Sequence, residues 1–176
     1  MIMPHRTLKV PERGMLDAYA ETLAARGYSA DPAQRAAAER LQRLYTELLS
    51  FKVARRSTFR RLLTRTDPPR GVYFWGGVGR GKSFLMDCFY DSVPYKRKKR
   101  IHFHAFMQQV HRQLDALKDQ ADPMDALAAN IARDVRLLCF DEFHVSDIAD
   151  AMILGRLLKA LFARGVVFVM TSNYPP

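Results

Sequence analysis

Residues 71–90, GVYFWGGVGRGKSFLMDCFY, join a short apolar run to an amphipathic one through GGVGRGKS, which satisfies G-x-x-x-x-G-K-[ST]. A junction of this kind confines a chain to few architectures. The apolar run reads as a strand buried on both faces, the amphipathic run as a helix, and a strand of that kind needs parallel neighbours with helices covering each side. Backbone N–H groups in such a loop wrap a phosphate, and a side chain at Gly76 or Gly81 is expected to crowd the turn. Lys82 is then placed to reach β- and γ-phosphates and Ser83 to offer a hydroxyl to Mg²⁺, while the helix N-terminus adds its dipole. The candidate nucleotide-binding set is therefore Gly76, Gly77, Val78, Gly79, Arg80, Gly81, Lys82, Ser83 and Phe84, with ATP and Mg²⁺ as the implied ligands.

The rest of the chain fits that architecture. Up to residue 66 the patterns are helical: MLDAYAETLAAR puts Leu16, Tyr19, Ala20 and Leu23 on one face and stops at Gly27. Asp31-Pro32 then reads as an N-cap and first-turn proline, followed by Leu41, Leu44, Tyr45, Leu48 and Leu49 at helical spacing. A short third helix is expected over STFRRLLTR, before the breaker DPPRG. Beyond it, strands are expected at GVYFW, RIHFHAF, VRLLCF and VVFVMTS. Helices are expected at GKSFLMDCFYDSV, MQQVHRQLDAL, a segment capped by Asp122-Pro123, and DIADAMILGRLLKALFARG. This division gives an N-terminal helical region, 1–66, and a nucleotide-binding core, 67–176.

LLCFDE at 137–142 is a strand ending in two carboxylates. Alternate strand residues point to opposite faces, so Asp141 and Glu142 can do different jobs: Asp141 holds Mg²⁺ and Glu142 polarises an attacking water. Strand C-termini gather on one edge of a doubly wound sheet, which brings the pair beside Lys82 and Ser83. TSN at 171–173 ends the last strand, and Asn173 is the side chain suited to holding the water opposite Glu142; an ordinary Asx or Ser turn is the competing reading.

The formal net charge is +10, with basic pairs at 55–56 and 60–61 and the run KRKKR at 96–100. Such a field suits nucleic acid, anionic lipid or an acidic protein, although a short basic run is most simply a solvated loop. Cys88 and Cys139 sit inside apolar stretches and read as buried free thiols of a reducing compartment. With no signal-like or membrane-spanning apolar run, the expected location is the cytoplasm, with at most peripheral contact at a membrane.

Together GGVGRGKS, CFDE and TSN resemble the Walker A, Walker B and sensor 1 segments of AAA+ ATPases. IHFHAFMQQVH, DEFHVSDIADAMILGRLL and GVVFVMTSNYPP resemble the ZapE family of bacterial cell-division ATPases, related to the mitochondrial ATPase named "ATPase family gene one". The resemblance implies a P-loop NTPase of AAA+ type that hydrolyses ATP and acts on a protein partner such as the division ring, as a homo-oligomer. Lys82 and Ser83 would be the Walker A pair, Asp141 and Glu142 the Walker B pair, and Asn173 sensor 1, which makes Glu142, Asn173 and Lys82 the catalytic candidates and Ser83 and Asp141 the metal ligands. Family members continue with a fifth strand, an arginine finger and a lid; on that comparison the sequence reads as a fragment with an exposed GVYFW edge and low ATPase activity.

Alternatives remain at this stage: a helicase-loader-like AAA+ protein binding single-stranded DNA, a small-molecule P-loop kinase, or a non-catalytic adaptor. Glu142 and TSN favour hydrolysis over phosphoryl transfer. His102 and His104 share a face of the expected second strand and offer a metal site with His111 or His144, but no Cys or carboxylate joins them at ligand spacing. Phe106 and Met107 fall where many AAA+ proteins place pore residues, with core packing the competing reading for Met107. Gln34, in a DPAQ string resembling the family's N-terminal motif, either reads an adenine edge or faces solvent.

Overall fold

A computed structural model describes residues 14–56 and 67–175. The expected short helix over STFRRLLTR lies outside the described residues. The elements run α1 (Met15–Ala25), α2 (Pro32–Arg56), β1 (Val72–Trp75), α3 (Lys82–Ser92), β2 (Lys98–His102), α4 (Phe103–Ala116), α5 (Pro123–Asp134), β3 (Leu137–Asp141), α6 (Ile148–Ala163) and β4 (Val167–Ser172).

The four strands are parallel in the order β1-β4-β3-β2, with Val72 opposite Val169, Cys139 opposite Val169, and Arg100 opposite Cys139. Side-chain alternation divides the core in two. Leu137, Cys139, Val167 and Val169 face α1, α2 and α3, where Met15, Leu41, Leu44, Leu48 and Phe89 are buried. Leu138, Phe140, Val166 and Phe168 face α4, α5 and α6. There the Phe140 ring meets Phe106 at 4.7 Å and Phe103 at 5.8 Å between centroids. The expected sheet with helices on both faces is therefore present, and α1 and α2 complete the layer begun by α3. Among the described residues β1 pairs only with β4, and Trp75 is exposed.

Local signals account for most boundaries. Asp31 Oδ1 accepts from Gln34 N–H at the start of α2. Asp122 caps α5 ahead of Pro123, and Asp147 caps α6 by accepting from Ala149 and Asp150; each satisfies N–H groups that the first helical turn leaves unpaired. The buried stripe of α1 is Met15 and Tyr19, with Leu16 and Leu23 alongside, whereas Ala20 is exposed.

β2 departs from expectation. The strand was placed at RIHFHAF, but it occupies Lys98–His102 and the chain turns helical at Phe103. Phe103, Phe106, Met107 and Val110 recur at helical spacing and are all buried, so their packing sets the period from Phe103 onward. The basic run is correspondingly not a solvated loop. Lys98 Nζ donates to the Val93 and Tyr90 carbonyls and lies over the Tyr90 ring, and Lys99 Nζ reaches Gln109 Oε1 at 3.1 Å on the other side. Long aliphatic stems let these residues line a strand while their charged ends find partners at its margins. Burial lowers the Lys98 pKa.

Candidate nucleotide site

The loop between β1 and α3 turns through two left-handed glycines, Gly79 (φ 79°) and Gly81 (φ 74°). Gly81 is the N-cap of α3, and Leu85 N–H donates to its carbonyl at 2.9 Å. The crowding expected at Gly76 is not found, since a Cβ there would meet no protein atom within 4 Å. At Gly81 a Cβ would lie 3.2 Å from Gln34 Nε2, so backbone conformation and this neighbour together select glycine.

Lys82 folds back over its own loop. Its ammonium donates to Gly76 O at 2.7 Å, Gly77 O at 2.8 Å and Asn173 Oδ1 at 3.0 Å, one acceptor for each hydrogen. Residues 78–84, Glu142 and residues 171–173 line one cleft of about 400 Å³, within the ~300–1,000 Å³ usual for small-molecule sites. Lys82, Ser83, Glu142 and Asn173 are thus brought together as their spacing suggested. Arg80 is exposed and pairs with Asp31 at 3.9 Å. Phe84 lines the cleft while packing on Tyr19, with the Arg26 guanidinium 4.7 Å above its ring.

The two acids part company at the end of β3. Glu142 is the one non-glycine with positive φ among the described residues, at 53°, and its N–H donates to Thr171 Oγ1 at 3.3 Å. That turn sends its exposed carboxylate into the cleft, 3.9 Å from His102 Nδ1. Asp141 does not line the cleft. Its carboxylate is buried, with Oδ2 accepting from Arg100 Nε at 2.6 Å and Oδ1 left without a hydrogen-bond partner. An unpaired buried carboxylate oxygen is costly unless a cation or water completes it. Asp141 Oδ1 and the Ser83 hydroxyl are hard oxygen donors, few in number, as suits Mg²⁺ held jointly with phosphate oxygens. The residues present fit that ion.

Other sequence candidates resolve differently. Gln34 uses both ends of its carboxamide within the protein: Oε1 accepts from Asp31 N–H and Nε2 donates to Arg80 O, each at 3.1 Å. Its carboxamide is thus anchored to the loop at Arg80, with one N–H and one oxygen lone pair unused by these two bonds. Phe106 and Met107 are buried at 4% and 3% exposure, which removes the pore reading and leaves core packing. His102 occupies the N-cap position of α4 without a side-chain capping bond and faces Glu142, His104 contacts Gln108, His111 contacts Asp150 and His144 stacks on Tyr174; among the described residues no three His, Cys, Asp or Glu are arranged to hold a metal. Cys88 and Cys139 are buried free thiols. Ser172 supplies the turn considered for TSN, accepting from Tyr174 N–H at 3.1 Å, which leaves Asn173 to Lys82. Sequence reasoning missed Arg100, hidden in a basic run, and the role of Thr171, which it noted only as part of TSN.

A family model described as AFG1-like ATPase matches residues 14–176. The chain belongs to the AFG1-like ATPase family. Within it, the chain is 47% identical over 169 residues to "Cell division protein ZapE" of Escherichia coli (strain K12), covering 90% of this chain and 45% of that protein. It is 48% identical over 124 residues to "Lactation elevated protein 1 homolog B" of Danio rerio, covering 64% of this chain and 25% of that one. The chain thus spans less than half the length of either relative. Domain III of the Thermotoga maritima replication initiation protein DnaA shares the fold, with a TM-score of 0.56 at 16% identity over 84% of this chain and 54% of that one. Among the described residues of this AFG1-like chain, no helix is long and apolar enough to cross a membrane.

Proposed function

We infer that the chain carries the nucleotide site of an ATPase that binds Mg-ATP on the loop after β1 and hydrolyses it with Glu142 as the water-activating group. The observation carrying this reading is the shared cleft, in which Glu142 and Asn173 stand with Lys82 and Ser83. Lys82 exchanges the Gly76, Gly77 and Asn173 oxygens that hold its ammonium for β- and γ-phosphate oxygens, and the left-handed loop offers backbone N–H groups around them. Ser83 Oγ and Asp141 Oδ1 would hold Mg²⁺, which when bound offsets charge on the transferring phosphoryl group. Glu142 orients a water and accepts its proton, its exposed carboxylate being free to follow the nucleotide. Asn173, whose Oδ1 accepts from the Lys82 ammonium and which lines the same cleft, holds the water opposite Glu142. The division of the chain into a helical region, 1–66, and a core, 67–176, belongs to this reading, with α1 and α2 buttressing α3.

The name of the E. coli relative supports a role in cell division; a protein partner such as the division ring, self-association and a cytoplasmic or membrane-peripheral location are proposed alongside it. The test is ATP turnover and nucleotide binding by the chain and its Glu142→Gln variant, with and without division-ring polymer or DNA. The expected result is unchanged nucleotide affinity in the variant with turnover lower by about 10²–10⁴-fold, and stimulation by the polymer. Equal turnover by both proteins would overturn the role of Glu142, and stimulation by DNA alone would redirect the partner to nucleic acid.

A further inference from the structure

Arg100 stands between two acids that belong to different elements. It lies on β2, opposite Cys139 of β3 and on the sheet face covered by α3. Its Nε donates to Asp141 Oδ2 at 2.6 Å, while its Nη1 forms an ion pair with Asp87 Oδ1 on α3. The guanidinium is largely buried and Asp141 nearly completely so, with side-chain exposures of 25% and 8%. Asp87 follows Ser83 by four residues on α3, one helical turn along the same face. One planar cation therefore spans from the helix that carries Ser83 to the strand tip that carries Asp141.

This connection has chemical consequences. A guanidinium is rigid and permanently charged, so two carboxylates on different nitrogens of the same fork fix its position, and it in turn fixes theirs. Arg100 uses only one oxygen of Asp141; the other, Oδ1, is buried without a partner. The pairing thus selects one carboxylate orientation and leaves a single defined oxygen for a further cation.

We propose that Arg100 is a positioning residue of the metal site. It ties Asp141 to Asp87 and so holds Asp141 Oδ1 and Ser83 Oγ, the two donors assigned to Mg²⁺, at a set separation. The inference rests on the Mg-ATP reading of the site. It differs in sign from the alternative in which Arg100 competes with the metal for Asp141, because loss of a positioning residue weakens metal binding and loss of a competitor strengthens it.

The test separates nucleotide from metal. A fluorescent ATP analogue is titrated into the 176-residue chain in EDTA and across a range of Mg²⁺ concentrations, and bound Mn²⁺ is counted by electron paramagnetic resonance. In the original chain, affinity is expected to rise with Mg²⁺. In Arg100→Ala the metal-free affinity is expected to stay the same, while the metal concentration giving half of the rise increases by about 10–100-fold, as for other groups that orient metal ligands. Arg100→Lys is expected to recover part of that loss, and Asp87→Asn, at a half-exposed position, to show a smaller one. These two variants carry the test if Arg100→Ala fails to fold. An unaltered metal requirement in the variants overturns the proposal, as does tighter metal binding, which identifies a competitor, or equal loss with and without metal, which identifies a purely structural ion pair. Absence of nucleotide binding by the original chain would instead defeat the Mg-ATP reading itself and the proposal with it.

Discussion

Lys82 Nζ donates to Asn173 Oδ1 over 3.0 Å, tying the loop after β1 to the tip of β4. The proposed roles of the two residues predict different losses. A hydrogen bond to a charged group contributes about 1.5–3 kcal/mol, so Lys82→Ala is expected to weaken ATP binding by roughly 10–100-fold. Asn173→Ala keeps the charge, and is expected to leave affinity nearly unchanged while lowering turnover by up to roughly tenfold. Equilibrium titration alongside steady-state hydrolysis separates these outcomes, and a parallel loss of affinity in both variants would contradict them.

Glu142 holds a left-handed conformation at φ 53°, which costs a non-glycine residue about 1–2 kcal/mol. Glu142→Gly releases that strain, while the added freedom of the unfolded chain offsets about 0.4–1 kcal/mol of the gain. The variant is therefore expected to melt at the same temperature or up to roughly 6 °C higher, with turnover lower by about 10²–10⁴-fold. Calorimetry gives the first number; a clear fall in melting temperature would show that the carboxylate stabilises the fold.

Gly71 precedes β1 where its backbone passes very close to β4, and a Cβ there would lie 2.1 Å from Phe168 O. Backbone on both sides cannot yield cheaply, so Gly71→Ala is expected to cost about 1–3 kcal/mol and lower the melting temperature by roughly 2–12 °C. Chemical denaturation of the two proteins measures the difference directly.

Burial pushes the Cys139 thiol from its ordinary value near 9 up to about 12, and raises that of Cys88 as well. For an acid whose pKa is higher in the folded state, the stabilisation is complete below the unfolded value. It is lost as pH climbs toward the folded one, here between about 9 and 12 for Cys139. Native protein at pH 9 is accordingly expected to react slowly with iodoacetamide and to label at both cysteines in denaturant. Rapid native labelling of Cys139 would show that the β3 core opens readily.

Legibility varied with the range of the interactions concerned. The loop glycines, Lys82 and Ser83 declare themselves because one short segment must supply every group a phosphate loop needs. The caps at Asp31, Asp122 and Asp147 are equally local, since each side chain satisfies N–H groups two or three residues away. The bounds of β2 were not legible because the strand takes in Lys98, Lys99 and Arg100 of the basic run, and the lysine partners, Tyr90 on α3, Val93 at its C-cap and Gln109 on α4, are set by tertiary packing. The anchoring of Gln34 was not legible for the same reason, as its second partner, the Arg80 carbonyl, is remote in sequence.

The sequence by itself determined the order of strands and helices, the position of the phosphate loop and the presence of two acids at a strand end, because periodicity and local backbone chemistry decide these within a few residues. Only the tertiary structure decided which groups each acid meets. Glu142 turns left-handed into the cleft because its N–H meets Thr171 of the neighbouring strand, and Asp141 is drawn to Arg100 because β2 lies beside β3 beneath α3. Both outcomes depend on which strands become neighbours, and that is set by burying two opposite faces of one sheet.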